Sequence, residues 1–374
     1  MINLAIIEEK MENIINEGWS DGMSVYFGNS NNSYSIVSGH ISSSPSFPLC
    51  NTTLFDLASV TKIFTLVTVM KLVEQNILDL NAPIKMYTNH FPNISEIKIF
   101  ELMNFSKQLC TTTRLENYSS VNDALSTLKN IQYLNSSVKY TDMGAIVLSQ
   151  IVNEVLHNSN GFKLFSKDLW ASIGLTNTYW WNDIPSEMLK YTQNYDSEFK
   201  IINGDILKVQ TAIGTVHDKK AQILGACGHA GIFSTPYDIS IFARKLLSGE
   251  ILSQASIDTL TSDKYNSYAP NQTFGLLCYK KHPDIKQSEI PFLASDNSIA
   301  ISGYTGTYLL LDFTNKIYIF IGANRLYHRL TYTDISLDNE KSACFLIKNN
   351  VKYVKDYVYK KDIIRDLCFS QLIN

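Results

Sequence analysis

Residues that favour β-strands lie near both ends of this chain, and a long region that favours helices separates them. Apolar, β-rich runs occur at 23–27 and 34–37, and again at 273–279, 298–302, 308–312 and 317–322. Because a sheet of two or three strands is only marginally stable, strands from the two ends are expected to pair with each other. The pattern therefore predicts an α/β (α+β) fold. It has one mostly antiparallel sheet, terminal helices at about 6–17 and from 337 onwards, and an all-helical inserted subdomain.

The length of 374 residues allows two or three domain-sized units. The positions of the strands assign 1–80 and 250–374 to a discontinuous sheet domain, and 81–249 to a mainly helical subdomain. A helix is predicted at 60–75, where apolar residues recur at spacings of three and four. Another is predicted to begin at Thr235-Pro236-Tyr237-Asp238, a capping-box arrangement with Pro in the first turn, and to end at Gly249.

The charge balance limits the possible partners of this chain. The 32 Lys and Arg residues stand against 35 Asp and Glu residues, a formal net charge of −3. An extended basic surface for nucleic acid is therefore not expected. No stretch of about 18 uncharged apolar residues occurs, so no membrane span is expected either. The oligomeric state is left open by the sequence.

The N-terminus and the cysteines bear on the compartment. The first ten residues lack a basic segment followed by a long apolar one, so no signal peptide is predicted. A cytoplasmic location is expected, with a removed export signal as the alternative. The six cysteines form no C-x-x-C pair, so zinc spacing is absent and buried, reduced thiols are expected. No metal and no organic cofactor is predicted.

The candidate nucleophile is Ser59, three residues before Lys62. Side chains three apart on a helix lie on one face, about 5–6 Å apart at Cβ. The start of a helix favours an anion, and a partly desolvated lysine can lose its proton and act as a base. Only at Ser59 does a long apolar helix follow the S-x-x-K spacing, which occurs at Ser59, Ser95, Ser126, Ser136 and Ser197.

Two further segments could complete a site around Ser59. Tyr140 and Asp142 open a helical run, and a phenol beside an ammonium group can act as a general base. Ser302-Gly303-Tyr304 lies between two predicted strands, where glycine permits close backbone approach and an N–H group could face an oxyanion. Each segment by itself is equally compatible with core packing or an ordinary bend between strands.

Taken in order, these segments resemble the serine β-lactamase and penicillin-binding-protein-like hydrolases, of the class C β-lactamase and esterase branch. The similarity extends from about residue 13 to 325. Strong stretches are LFDLASVTKIFT (54–65), YTDMGAIVLSQIVNEV (140–155) and YTGTYLLLD (304–312). The resemblance implies a β-lactamase-like fold and a serine hydrolase that acts through an acyl-enzyme. Its substrate would be a small or short peptide-like molecule with an ester, amide or β-lactam carbonyl.

The resemblance also implies a role for each residue. Ser59 is the expected nucleophile, Lys62 its partner and Tyr140 the general base. The backbone N–H groups of Ser59 and Tyr304 form the expected oxyanion hole. Asp142 stands where relatives often carry Asn. A carboxylate there is expected to keep Lys62 charged and so to help a phenolate at Tyr140.

The chain departs from the family pattern at two places. Relatives carry Lys or His before Thr-Gly, whereas this chain has Ile301-Ser302-Gly303. With that cation missing, neutral esters or amides are expected to be better substrates than anionic β-lactams or peptide C-termini. The second departure is the segment 104–109, where relatives have His-Thr-Ser-Gly-Leu. Without the glycine, the conformation of this loop is open.

Other interpretations remain possible from the sequence. The same fold could pass the acyl group to an amine or alcohol as an acyltransferase, or altered motifs could leave a binding protein with a degenerate site. The pair His217-Asp218 could join Ser59 in a triad, although sequence neighbours rarely point at one another. His229 is expected to be packed or hydrogen-bonded. The pair Trp180-Trp181 could line an acyl pocket or pack in the core.

Overall fold

The computed structural model describes residues 2–43, 46–134, 137–193, 198–202, 205–209, 211–332, 345–348, 351–354 and 360–373. The α-helices are α1 (Leu4–Asn16), α2 (Thr61–Glu74), α3 (Ile99–Met103), α4 (Val121–Lys129), α5 (Met143–Val155), α6 (Gly161–Ser172), α7 (Lys219–Leu224), α8 (Pro236–Ser248), α9 (Gln254–Thr261) and α10 (Lys360–Ile373).

The strands are β1 (Gly22–Gly28), β2 (Ser33–Ser43), β3 (Ser46–Pro48), β4 (Phe55–Asp56), β5 (Gln108–Cys110), β6 (Gln132–Leu134), β7 (Thr178–Trp180), β8 (Phe199–Ile202), β9 (Asp205–Lys208), β10 (Ile232–Ser234), β11 (Ser267–Ala269), β12 (Gln272–Phe274), β13 (Tyr279–Lys280), β14 (Ser298–Ser302), β15 (Tyr308–Asp312), β16 (Ile317–Ala323), β17 (Leu330–Tyr332), β18 (Phe345–Lys348) and β19 (Val351–Val354). Between residues 81 and 249, the helices α3 to α8 are interspersed with the short strands β5 to β10, so the prediction of an all-helical insert is wrong in this respect.

A nine-stranded antiparallel sheet forms the centre of the fold. Its strand order is β11-β12-β13-β14-β15-β16-β1-β2-β3. The N-terminal and C-terminal strand sets meet where β1 pairs with β16, from Met23 opposite Ala323 to Gly28 opposite Tyr318. The predicted pairing of strands from the two ends is confirmed.

Both faces of the sheet are covered, which explains why its strands are apolar on both faces. Along β16, Ile317, Ile319 and Ile321 pack in the cluster with α1 and α10, whereas Tyr318 and Phe320 pack in the cluster with α2. Alternate residues of a strand point to opposite faces, so a sheet buried on both sides needs a continuous apolar run. The terminal helix α1 contributes a stripe with helical spacing, made of Ile7, Met11 and Ile14.

Helix α2 is buried on nearly all sides, because it lies between the sheet and the middle region. Phe64 on this helix stacks against Phe242 of α8, with ring centroids 4.2 Å apart. A small sheet of order β4-β10-β7 holds the segment that precedes α2, with Phe233 of β10 opposite Asp56. The start of α2 is therefore fixed from several directions.

Several local predictions are confirmed. The Asn- and Ser-rich segment 29–33, which the sequence predicts to be a turn between the runs at 23–27 and 34–37, makes a hairpin turn between β1 and β2, with Gly28 opposite Ser33. Helix α8 begins at the cap Thr235, whose hydroxyl accepts a hydrogen bond from the Asp238 N–H at 3.2 Å, and Gly249 follows its last residue. The Asp238 carboxylate completes no capping box, because it accepts hydrogen bonds from the Asn177 N–H and the Thr178 hydroxyl.

Two predicted elements are wrong. The run 273–279 is not one strand, because a turn at 275–278 separates β12 from β13. The Leu277 N–H in this turn donates to the Met103 carbonyl at 2.7 Å, so a tertiary contact outweighs the strand preference. The helix predicted from 337 onwards is also incorrect in part. Leu346 lies in β18, and Val351 and Val354 lie in β19. The two strands pair as an antiparallel hairpin. Among the residues after 337 that the structure describes, only those of α10 are helical, and Val358 lies outside the described residues.

No helix in the described part of the chain is long and apolar enough to cross a membrane. Among the cysteines that the structure describes, all are free thiols. Cys227, Cys278 and Cys368 are buried, and Cys50 and Cys110 are half-buried.

Candidate active site

A cavity of ≈ 410 Å³ opens where the start of α2, the segment before α5 and the turn between β14 and β15 meet. Lys62 lies behind its wall, in contact with Ser59. The structure thus brings together every site residue predicted from the sequence, and those that line the cavity are Ser59, Tyr140, Asp142, Ser302, Gly303 and Tyr304. The other serines of the S-x-x-K pattern do not line it. Ser95 and Ser126 lie elsewhere, and Ser136 and Ser197 are outside the described residues.

Ser59 lies in a short 3₁₀ turn, Ala58–Val60, that leads directly into α2. Ala58 has a φ of 44°, a left-handed conformation that costs a non-glycine residue roughly 1–2 kcal/mol. The buried carboxylate of Asp56 offsets this strain by accepting a hydrogen bond from the Ala58 N–H at 2.9 Å. The turn places Ser59 at the start of a buried helix, where the helix dipole favours negative charge.

The hydroxyl of Ser59 has two donors around it. Lys62 Nζ lies 3.1 Å from Ser59 Oγ, and the Tyr140 hydroxyl lies 2.8 Å from it. The Tyr140 ring packs against the rings of Phe105 and Tyr279, with centroids 4.9 and 6.0 Å away. The phenol is therefore held in one orientation toward the serine.

A charged network lies behind Ser59 and Lys62. Asp142 pairs with Lys62 at 2.8 Å and with Lys220 at 3.1 Å, and Asp218 pairs with His229 at 2.8 Å. Burial by itself would lower the pKa of His229, but the Asp218 carboxylate raises it to about 10. Burial would raise the pKa of Asp142, yet Lys62 and the other cations hold it well below its usual value. Both carboxylates and His229 are thus charged at neutral pH.

The same network sets the state of Tyr140. Burial and then the Asp142 carboxylate raise its pKa well above the usual value. The sequence-based expectation that Asp142 helps a phenolate is therefore wrong, because the negative charge lies close enough to Tyr140 to oppose a second one. Tyr140 is a neutral phenol in the resting site.

Asp142, Asp218 and His229 have ligand atoms within 4.8 Å of one another, a spacing that could hold a metal ion. Both carboxylates are already paired with lysine or imidazolium groups. A histidine ligand must be neutral, and the raised pKa of His229 makes that form scarce near neutral pH. The chemistry of this donor set does not suit a metal.

The turn after β14 is tied to the nucleophile turn by two threonines. The Thr305 hydroxyl donates to the Asp56 carbonyl at 2.7 Å, and the Thr307 hydroxyl donates to the Leu57 carbonyl at 2.9 Å. A Cβ on Gly303 would lie 2.7 Å from the Leu57 oxygen and 2.0 Å from Thr307 Oγ1, so only glycine fits there. The backbones that carry the N–H groups of Ser59 and Tyr304 are thereby held against each other.

The surroundings of Ile301-Ser302-Gly303 differ from the sequence-based expectation. Ile301 is fully buried in the core and does not line the cavity. The expectation that this site lacks a cation is wrong, because Lys361 of α10 contacts the Ser302 hydroxyl and pairs with Glu289 at 2.9 Å. Sequence reasoning missed both residues, since nothing in the local pattern around Ser302 points to a helix 59 positions further on.

The remaining candidates have structural contacts. His217 Nε2 lies 2.9 Å from Glu198 and its ring stacks on Tyr304, whereas Asp218 binds His229, so the pair His217-Asp218 forms no triad with Ser59. The pair Trp180-Trp181 does not line the cavity: Trp180 is buried in the core, and the Trp181 indole donates to a backbone carbonyl.

The loop at 104–109 is held by packing and by side-chain hydrogen bonds, without a glycine. The positive φ of this loop, 59°, falls on Phe105, whose ring packs against Tyr140. The Asn104 side chain accepts a hydrogen bond from the Ser106 N–H at 3.1 Å and donates to the Tyr265 carbonyl at 3.0 Å. The loop therefore supports the aromatic packing of the site.

The fold and this cavity define an α/β protein with a serine, lysine and tyrosine cluster at the start of a buried helix. The chain matches the family model described as Beta-lactamase over residues 5–338, and it belongs to that family. A protein of Salmonella agona (strain SL483), provisionally assigned as a D-alanyl-D-alanine carboxypeptidase, is 23% identical over 302 residues. The alignment covers 73% of this chain and 69% of that protein.

Two solved structures illustrate the likeness of the fold. A class C beta lactamase from Rhodobacter sphaeroides aligns with a TM-score of 0.67 at 15% identity, over 98% of each chain. EstCE1, described as a hydrolase with promiscuous acyltransferase activity, aligns with a TM-score of 0.67 at 15% identity. That alignment covers 86% of this chain and 93% of EstCE1.

Proposed function

We propose that this protein is a serine hydrolase that acts through an acyl-enzyme on the ester, amide or β-lactam carbonyl of a small or short peptide-like molecule. The observation that carries the proposal is the placement of Ser59 Oγ at a helix start, within 3.1 Å of Lys62 and 2.8 Å of Tyr140, at the wall of one cavity. A nucleophile beside groups that can move its proton is the pattern of covalent catalysis. A cytoplasmic location remains a prediction from the sequence.

Acylation requires that the Ser59 proton leave as its oxygen bonds to the carbonyl carbon. Because Tyr140 is neutral, it would accept this proton while it passes its own proton to the leaving group. Lys62 would stay paired with Asp142 and stabilise negative charge on the Tyr140 and Ser59 oxygens. In deacylation, water would attack the acyl carbon and pass a proton to Tyr140 while the phenol passes its own proton to Ser59 Oγ, so that the bond between Oγ and the acyl carbon breaks and the acid leaves.

The developing oxyanion would be held by the backbone N–H groups of Ser59 and Tyr304. Support for this assignment comes from the hydrogen bonds of Thr305 and Thr307, which hold the two backbone segments together. Donors that are fixed before the reaction cost no reorganisation when charge develops.

The test is covalent labelling with a fluorophosphonate, followed by mass spectrometry of the labelled peptide. Wild type is expected to be labelled at Ser59, and Ser59→Ala to lose the label and at least about 10³-fold of its kcat/KM on an ester. Ser126→Ala is the matched control, because Ser126 has the same S-x-x-K spacing but lies exposed and away from the cavity.

Equal labelling of Ser59→Ala would contradict the proposal, and so would an ester that binds without forming an acyl-enzyme. The latter result would indicate a binding protein with a degenerate site. Repeating turnover with an added alcohol and analysing the products distinguishes hydrolysis from acyl transfer.

A further inference from the structure

An ion pair from two distant parts of the chain lies beside Ser302, in the wall of the cavity. Lys361 Nζ lies 2.9 Å from Glu289 Oε2, and the Ser302 hydroxyl donates to the same oxygen at 2.6 Å. Lys361 also contacts the Ser302 hydroxyl. Both charged side chains line the cavity, although only 7% of Lys361 and 12% of Glu289 is exposed.

The pair is held in place by the packing of α10 on the sheet. Arg365, one turn after Lys361, donates to the Glu289 carbonyl at 3.0 Å, and the Tyr308 hydroxyl donates to the same carbonyl at 2.6 Å. Lys361 Nζ also lies 5.1 Å from the centre of the Tyr308 ring. These contacts fix the position of both charges before any substrate enters.

The charge of Lys361 is therefore already compensated. Burial would raise the pKa of Glu289, but Lys361 and the Ser302 hydroxyl lower it, so the carboxylate is ionised at neutral pH. A substrate carboxylate placed against Ser302 would compete with Glu289 for one ammonium group. Two carboxylates around one buried cation repel each other, so an anionic group is disfavoured at this end of the cavity.

We propose that Lys361 supplies the cation that Ile301-Ser302-Gly303 lacks, and that Glu289 neutralises it, so that the pair selects substrates that are uncharged at the Ser302 end of the cavity. The proposal rests on the proposed hydrolase function. Glu289 and Lys361 are specificity-determining residues in this scheme, and neither transfers a proton.

The test compares two esters that differ in one charge, methyl 3-acetoxybenzoate and 3-acetoxybenzoate, as the ratio of anionic to neutral kcat/KM. Wild type is expected to prefer the neutral ester by about tenfold, and Glu289→Gln to raise the ratio about tenfold by leaving Lys361 uncompensated. The double variant Glu289→Gln/Lys361→Met is expected to lose that gain. A second cation, Arg325, also lines the cavity and stacks over the Tyr304 ring, so the double variant is needed to assign the gain to Lys361.

Glu96→Gln is the matched control, because it breaks an exposed pair with Lys85 away from the cavity and should leave the ratio unchanged. An unchanged ratio in folded Glu289→Gln, with Ser59-dependent turnover of the neutral ester, overturns this proposal and leaves the hydrolase function standing. No Ser59-dependent turnover of either ester overturns both. If Glu289→Gln does not fold, the wild-type protein provides the test. Equal kcat/KM values of wild type for the two esters would overturn the proposal.

Discussion

The charges behind Ser59 form a network in which each group holds the next in its charged state. Lys220 bridges the carboxylates of Asp142 and Asp218, at 3.1 and 3.4 Å, and His229 pairs with Asp218 from the other side. The His229 carbonyl also accepts a hydrogen bond from Lys62 at 3.2 Å. Removing one member of such a network leaves a buried charge without its partner, which typically costs about 3–5 kcal/mol.

The raised pKa of His229 predicts a pH dependence of stability. Its pKa rises from 6.5 to about 10 on folding, so its stabilising contribution is complete below pH 6.5 and is lost as the pH rises through 10. The difference in free energy of unfolding between wild type and His229→Gln is expected to shrink by about 3 kcal/mol from pH 6.5 to 10. Urea unfolding at several pH values measures it.

His90→Gln is the control for this experiment, because His90 makes a half-exposed pair with Glu154 outside the network. If the free energy of unfolding of His90→Gln, relative to wild type, followed the same pH course as that of His229→Gln, the effect would not be specific to the network. If the free energies of unfolding of wild type and His229→Gln changed with pH in parallel, His229 would not be charged in the folded state.

At the scale of elements, helix α8 positions α2 and therefore Ser59. Its Phe242 stacks on Phe64 of α2 at an interplanar angle of 14°. The helix begins at the buried residue Thr235, whose hydroxyl satisfies the Asp238 N–H. An N-cap hydrogen bond of this kind contributes about 1 kcal/mol to stability.

Replacing the cap tests that contribution. Thr235→Val keeps the buried volume but removes the hydroxyl, and is expected to lower the free energy of unfolding by about 1–2 kcal/mol. Thr235→Ser keeps the hydroxyl and should cost less. Thermal and urea unfolding measure the stability of both variants. If Thr235→Ser lost more free energy of unfolding than Thr235→Val, the packing of the methyl group would matter more than the cap hydrogen bond.

At the scale of the whole molecule, the nucleophile segment rests directly on the central sheet. A Cβ on Gly322 of β16 would lie 2.9 Å from the ring of Phe55, which is buried in β4 just before the nucleophile turn. Phe55 also packs edge-on against Phe320. The absence of a side chain at Gly322 lets β4 approach the sheet. The division into 1–80 with 250–374 and 81–249 remains a prediction.

Gly322→Ala is expected to destabilise the protein by about 1–3 kcal/mol, because the Phe55 ring must move. The same shift should lower kcat/KM, since β4 leads into the turn that carries Ser59. Phe55→Leu in the Gly322→Ala background should recover part of both losses by making room for the new methyl group. Urea unfolding and ester turnover measure the two single variants and the double variant. If the losses of Gly322→Ala and Phe55→Leu simply add in the double variant, direct contact between the two positions is contradicted.

The sequence predicted much of the site because its signals are local. Ser59 and Lys62 are three residues apart at the start of an apolar helix, and the order of the motifs pointed to Tyr140 and to the turn at Tyr304. Contacts between residues that are far apart in the sequence and belong to no recognised motif were not predicted. Glu289 and Lys361 are 72 positions apart, and the segments 345–348 and 351–354, where a helix was predicted, pair with each other as a hairpin.

The sequence by itself determined the strand and helix periods, the pairing of the two chain ends and the grouping of the serine, lysine and tyrosine, because side-chain spacing and motif order encode them. Only the tertiary structure determined the protonation state of Tyr140 and the charged groups that surround Ser302. Burial and the distance between Tyr140 and Asp142 keep the phenol neutral, and the packing of α10 brings an ammonium group to Ser302. Coulomb interactions and desolvation depend on separation in space, which spacing along the chain does not specify.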